Sequence, residues 1–308
     1  MNEISASFNF PSDFFWGMTP LDPDSQEQDL QSLLFRLQET GIQAILINVP
    51  WAKCEPLKGN FDEVYIESLR QKLIRIRNRN MMPVIIPDTF STPAWLNLAH
   101  PAKEDKDSRY GAAFIRHLAG AAASFTNYIG IPCRSRRPIL RTGSNAFPDF
   151  FRETFAYIRS LAPDIKAGVI LPEGFPDRQS GISTAVFRMQ YGFLKDSGLD
   201  FLGIPTAENS VDMIRAIFGT IRIPTIFISD GLKSLPPKEQ APFLADKLFA
   251  AWQTYQNGLP VIGYFSEADL TADDPVSGIF TNVCKSNSFR ISTEMDWITE
   301  KWLRFLKD

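Results

Sequence analysis

Carboxylates, amides and tryptophans recur in this chain at one kind of place, just past short apolar runs. Trp51 and Lys53 follow Ala44–Val49, and Asp88, Thr89 and Trp95 follow Pro83–Pro87. Arg141 and Asn145 follow Pro138–Leu140, Glu173 follows Ala167–Leu171, and Thr206, Glu208 and Asn209 follow Leu199–Ile204. Asp230 comes directly after Thr225–Ser229, Glu267 and Asp269 come after Pro260–Phe265, and Trp16 and Thr19 stand at the first run, Phe14–Gly17. Together these types are what a carbohydrate site uses. Sugar hydroxyls need partners that both donate and accept, and the C–H faces of the ring need an aromatic platform. Each residue alone has a plainer use, since a loop carboxylate caps a helix or faces water and a tryptophan packs.

The elements that must position them alternate. The stretch Ile42–Leu96 is one βαβ unit: an aliphatic run at Ala44–Val49, an amphipathic helix over Phe61–Arg79, and a second run at Pro83–Pro87. The helix has Val64, Ile66, Leu69, Leu73, Ile74 and Ile76 apolar, with a basic far side of Arg70, Lys72, Arg75, Arg77 and Arg79. Around that unit, helices are expected at Ser25–Thr40, at Asp107–Ile129 up to Gly130, at Phe150–Leu161 and at Ser183–Asp196. Further helices are expected at Val211–Phe218, Pro237–Gln256 and Thr293–Leu306. Strands alternating with helices in this way predict a single (β/α)8 TIM barrel domain over residues 1–308, with its chemistry at the C-terminal ends of the strands. A doubly wound open sheet fits less well, because the first turn, Gly17-Met-Thr-Pro20, carries no GxGxxG.

Composition narrows the classes. The chain has 308 residues, 44% of them hydrophobic and 22% charged, with a formal net charge of −3, which is ordinary for a globular domain. A charge so near zero argues against a nucleic-acid surface, and the densest basic run, Arg134–Arg141, is short. Cys54, Cys133 and Cys284 lie far apart with no CxxC spacing, so no metal site, cofactor motif or disulfide framework is expected and a reducing, cytoplasmic setting fits. No basic, apolar leader and no run of roughly 18 uninterrupted apolar residues points to a membrane. The sequence carries no signal for oligomeric state.

Several segments, in order, resemble the retaining β-glycosidases of glycoside hydrolase family 1. Phe10-Pro-Ser-Asp-Phe-Phe-Trp-Gly17 is similar to that family's F-P-x-D-F-x-W-G, and Ile47-Asn-Val-Pro-Trp51 with Gly59-Asn-Phe61 to its S-I-S-W-S-R and G-x-x-N stretch. Pro83–Leu96 resembles P-V-V-T-L-Y-H-F-D-L-P-x-W-L, Asp200–Ile204 resembles D-F-L-G-I-N, and Gly258–Phe265 resembles G-V-x-V-R-G-Y-F. The resemblance implies a β-glucosidase-like barrel of carbohydrate metabolism whose ligand is a β-linked sugar. It also implies two carboxyls about 5 to 5.5 Å apart, an acid/base at the end of strand four and a nucleophile at the end of strand seven.

At those two places the chain departs from the family. The T-L-N-E-P motif is matched to Leu140-Arg-Thr-Gly-Ser-Asn145, which puts Gly143 where the acid/base stands, with no carboxylate before Asp149. The I-T-E-N-G motif is matched to Ile228-Ser-Asp-Gly231, which makes Asp230 the candidate nucleophile. The strand-three His is Thr89, the strand-two Arg is Lys53, and the Trp after the last strand is Ser266. Two readings follow. In one, a weak hydrolase uses Asp230 as nucleophile and Glu173, Glu208 or Glu267 as acid, with Trp51, Lys53, Asp88, Thr89, Trp95, Arg141 and Asn145 around the sugar. In the other, the barrel is a non-catalytic carbohydrate-binding or protein-interaction module, a pseudoenzyme.

Overall fold

The structure is a computed structural model. It describes residues 15–19, 30–31, 34–35, 37–38, 42–97, 103–133, 146–171, 191–205, 217, 219, 222–228, 251, 254–255, 258–259 and 261–267. Eight parallel strands close into a barrel in chain order. They are β1 (Phe15–Thr19), β2 (Ala44–Pro50), β3 (Met82–Asp88), β4 (Tyr128–Pro132), β5 (Lys166–Ile170), β6 (Phe201–Pro205), β7 (Thr225–Ile228) and β8 (Val261–Glu267). The expected (β/α)8 fold is therefore present. Closure runs through β1 and β8, with Phe15 paired to Gly263 and Thr19 to Glu267.

Side chains alternate across each strand, and the alternation separates two cores. Ile45, Ile47 and Val49 of β2 join Ile129 and Ile131 of β4 and Val169 of β5 in the large outer core beneath the helices. Ala44 and Leu46, with Val84, Ile86, Phe201, Ile226, Phe265 and Phe15, fill the barrel interior. Phe15 meets Phe265 edge-on at 5.5 Å and Tyr128 at 5.9 Å, and Tyr128 meets Phe201 at 5.4 Å. This aromatic plug fits because several neighbouring positions lack a side chain. A Cβ on Gly17 would overlap the Phe265 ring and one on Gly263 the Phe15 ring, while one on Gly130 would stand 2.8 Å from Ile170 Cδ1. Small positions on one strand thus make room for large ones on the next.

Outside, α1 (Trp51–Cys54), α2 (Glu63–Asn78), α3 (Ala94–Asn97), α4 (Lys103–Ala122) and α5 (Ala146–Leu161) follow β2, β3 and β4. In α2 the Asp62 carboxylate accepts from the Tyr65 amide at 3.0 Å, capping the helix, and Ile66, Leu69, Leu73 and Ile76 are buried. Leu30, Leu34 and Leu37, helical and fully buried, belong to the helix expected over Ser25–Thr40.

One strand lies elsewhere than expected. The fourth strand of the barrel is Tyr128–Pro132, within and just beyond the stretch expected to end a helix at Gly130. The helix stops at Ala122, and the 3-10 turn Ala123–Phe125 leads into Thr126, whose hydroxyl donates to the Pro83 carbonyl at 2.8 Å. Gly130 is therefore a strand residue in close contact with β5, not a helix cap. Pro138–Leu140, read as the strand, lies outside the described residues.

Candidate functional site

The C-terminal rim is defined by register. Pro50 pairs with Asp88 and Thr19 with Glu267, so the ends of β1, β2, β3 and β8 share the face on which barrel enzymes carry their sites. Trp51 follows immediately, so Trp51, Asp88 and the backbone of Glu267 lie at one end of the barrel.

The β2–β3 sector of that rim is stitched together. The Ala52 amide donates to the Ser91 carbonyl at 2.8 Å, and the Trp95 indole N–H donates to the Glu55 carbonyl at 3.0 Å. Glu55, only 5% exposed, accepts from Trp51 Nε1 at 2.8 Å through Oε2 and from the Gly59 amide at 2.8 Å through Oε1. A buried carboxylate needs such partners to be tolerated. Gly59 has a φ of +72°, which lets the loop turn back toward that acid. The Asp62 amide then closes the loop on the Cys54 carbonyl at 2.8 Å.

This arrangement sorts the sequence candidates. Trp51 has no exposed surface; it stacks on Phe114 at 5.5 Å with 5° between planes and meets Trp95 edge-on at 6.0 Å. It offers no face to a ligand and anchors the wall. Trp95 is half-buried, Lys53 is exposed on α1, and Thr89 is buried. Asp88 is half-buried, and its Oδ1 accepts from the Phe90 amide at 2.9 Å and the Ser91 amide at 3.3 Å. That shapes the loop while leaving acceptor capacity on the carboxylate. Beside it Phe90 is 59% exposed, an aromatic the sequence reading passed over. Asp230, Glu173, Glu208, Arg141 and Asn145 lie outside the described residues, and of Glu267 only the backbone, ending β8, is described.

A second residue was also missed. Asn48 is exposed although its chain neighbours Ile47 and Val49 are fully buried. Its register puts it two residues beyond Leu46, on the barrel-interior side. The available signal was its being the single polar residue in the aliphatic run Ala44–Val49.

Comparison with solved structures gives a (β/α)8 barrel shared with glycoside hydrolases. The β-glycosidase from Pyrococcus horikoshii superposes with a TM-score of 0.61 at 13% identity, covering 94% of this chain and 97% of that one. The β-glycosidase BGL167 gives 0.63 at 14% identity, covering 83% and 86%. The β-glucosidase from Thermotoga maritima, in complex with glucoimidazole, gives 0.60 at 11% identity, covering 83% and 88%. No family model and no curated protein sequence matches the chain. Identity this low speaks for the fold; the chemistry rests on the residues. Among the described residues no helix is long and apolar enough to cross a membrane.

Proposed function

We propose that this protein recognises β-linked glycosides at the C-terminal mouth of its barrel, as a family 1-like glycosidase whose hydrolytic power is weak or lost. The observation that carries the reading is the end of β4. The strand finishes at Pro132, and the sequence continues Cys133-Arg134-Ser135-Arg136-Arg137 with no carboxylate before Asp149. Retaining hydrolysis needs a protonated acid there as well as a nucleophile. Moving the strand ten residues toward the N-terminus leaves the acid position as empty of carboxyls as the Gly143 match did. Asp230, two residues past the end of β7 at Ile228, is the nucleophile in this reading, with Glu173, Glu208 and Glu267 as the substitute acids. The same β4 end favours the second reading, a binding barrel with no turnover.

The two part cleanly in one assay. General-acid help is worth on the order of 10² to 10⁴-fold with poor leaving groups and far less with a good one. Activated aryl β-glucosides and β-galactosides should therefore be cleaved slowly, natural disaccharides hardly at all, and an Asp230→Ala variant should lose the aryl activity. Saturable sugar binding by calorimetry without turnover supports the binding barrel. Brisk cleavage of unactivated disaccharides overturns the proposal, because it requires a competent acid.

A further inference from the structure

We infer that Asn48 reads the innermost hydroxyls of the sugar ring, an inference that rests on the β-glycoside reading above. Three observations support it. Asn48 is paired in register with Ile86, while Pro50 pairs with Asp88. At about 3.3 Å of rise per residue along strands tilted by about 36°, it sits roughly 5 Å deeper in the mouth than the rim residue Asp88. Its exposure at that depth, between fully buried neighbours, means that solvent reaches past the rim to the side chain.

The interior residues near its level are apolar. Ile86 is buried in the barrel core, and Ile170 and Ile228, half-buried at the ends of β5 and β7, pack against the same core. A ring that enters end-on meets aliphatic contacts for its C–H groups and one amide. That amide offers a carbonyl acceptor and two N–H donors, enough to take two adjacent hydroxyls at once. A hydroxyl left without a partner in such a place is costly, so the amide distinguishes sugars that place hydroxyls opposite it from those that do not. Asn48 is thus a specificity-determining contact, set beside the rim groups Asp88 and Phe90, which meet the outer part of the ligand.

The test is binding by the full chain and by Asn48→Ala. Isothermal titration with methyl β-glucoside and its monodeoxy analogues should show one deoxy analogue binding the wild type about tenfold more weakly than the parent sugar. The variant should bind the parent about tenfold more weakly and should no longer distinguish it from that analogue. The side-chain NH2 pair of Asn48, assigned by its absence from the variant's ¹⁵N spectrum, should shift on saturation with the sugar. Matching thermal unfolding of the two proteins confirms that the variant is folded. Equal binding by wild type and variant overturns the role of Asn48 and leaves the β-glycoside reading standing. Failure of the wild type to bind any β-glycoside overturns both.

Discussion

Past β2 and β3 the chain is tied to itself by a buried acid, two indoles and a backbone bond between loops; past β4 it leaves the barrel through a proline and a buried cysteine. The two places are neighbours on one rim, yet their polar resources differ. In the β2–β3 sector Glu55 spends its carboxylate and its carbonyl on Trp51, Gly59 and Trp95. The outcome is a wall built on Glu55, beside which the Asp88 carboxylate shapes the loop that carries Phe90. At β4, Pro132 has no amide to donate and no carboxyl to offer. The difference teaches that binding geometry and proton transfer are separable parts of a barrel mouth. In the reading proposed above, the first would rest on the β2–β3 wall, while the sequence after Pro132 carries no carboxylate before Asp149 for the second.

Breaking the clasp is the harshest way to test that contrast. Glu55→Ala leaves the buried Trp51 indole N–H without its acceptor and frees the Gly59 amide. A buried donor stripped of its partner costs about 1 to 3 kcal/mol, and the loss of the second bond and of packing brings the expected total to about 2 to 4 kcal/mol. Urea unfolding followed by tryptophan fluorescence measures it. Pro132→Ala, at the β4 end, should change stability by less than about 1 kcal/mol in the same experiment. Equal effects at the two sites would show that the clasp is not what distinguishes them.

The next effect sits between the regions, at the glycine that lets β4 and β5 approach. A Cβ at Gly130 would stand 2.8 Å from Ile170 Cδ1, 2.9 Å from its Cγ1 and 3.5 Å from Ile86 Cγ1. Gly130→Ala should cost about 1 to 3 kcal/mol through overpacking. Adding Ile170→Val, which removes the clashing Cδ1, should return part of that loss in a double-mutant cycle. An additive pair would mean that the two positions do not share the space.

That glycine also explains what the sequence could and could not disclose. β2 and β3 are apolar runs, broken in β2 only by Asn48 and otherwise largely buried on both faces, and their type and place are legible. β4 has the same role but carries Gly130 where Ile170 supplies the filling and ends on Pro132. Behind an alanine-rich helix, Gly130 looks like a stop signal, because what makes it a strand residue lies on another strand. Polar residues divide in the same way. Glu55 is buried by partners close to it in sequence, the Trp51 indole and the Gly59 amide, whereas Asn48 is set apart by its register, which carries it to the open interior face. The ends of β2 and β3 were legible because these strands are recognisable in sequence; the end of β4 was not, because the strand is Tyr128–Pro132 and Pro138–Leu140 was read in its place.

The smallest effect is a pH dependence confined to the wall. Cys54 is buried behind Trp51, and burial, followed by the nearby charges of Asp62 and Glu55, pushes its thiol up to about 12 from 9.0. The folded protein therefore keeps this proton in a range where the unfolded chain has given it up. Above about pH 9 the unfolded state binds fewer protons than the folded one, so this group makes stability fall as pH rises, by up to about 1.4 kcal/mol per pH unit, until the folded thiol itself titrates. Below the unfolded value both states hold the proton and the contribution is flat. Cys54→Ala removes the slope while keeping a small apolar group in the site, at the cost of a small cavity that does not depend on pH. Unfolding free energies of the two proteins at pH 7, 9 and 10 should run parallel over the first interval and converge over the second. Curves that stay parallel throughout would mean that water or a neighbouring group relieves the thiolate, and that the wall is less closed around Cys54 than its 1% exposure implies.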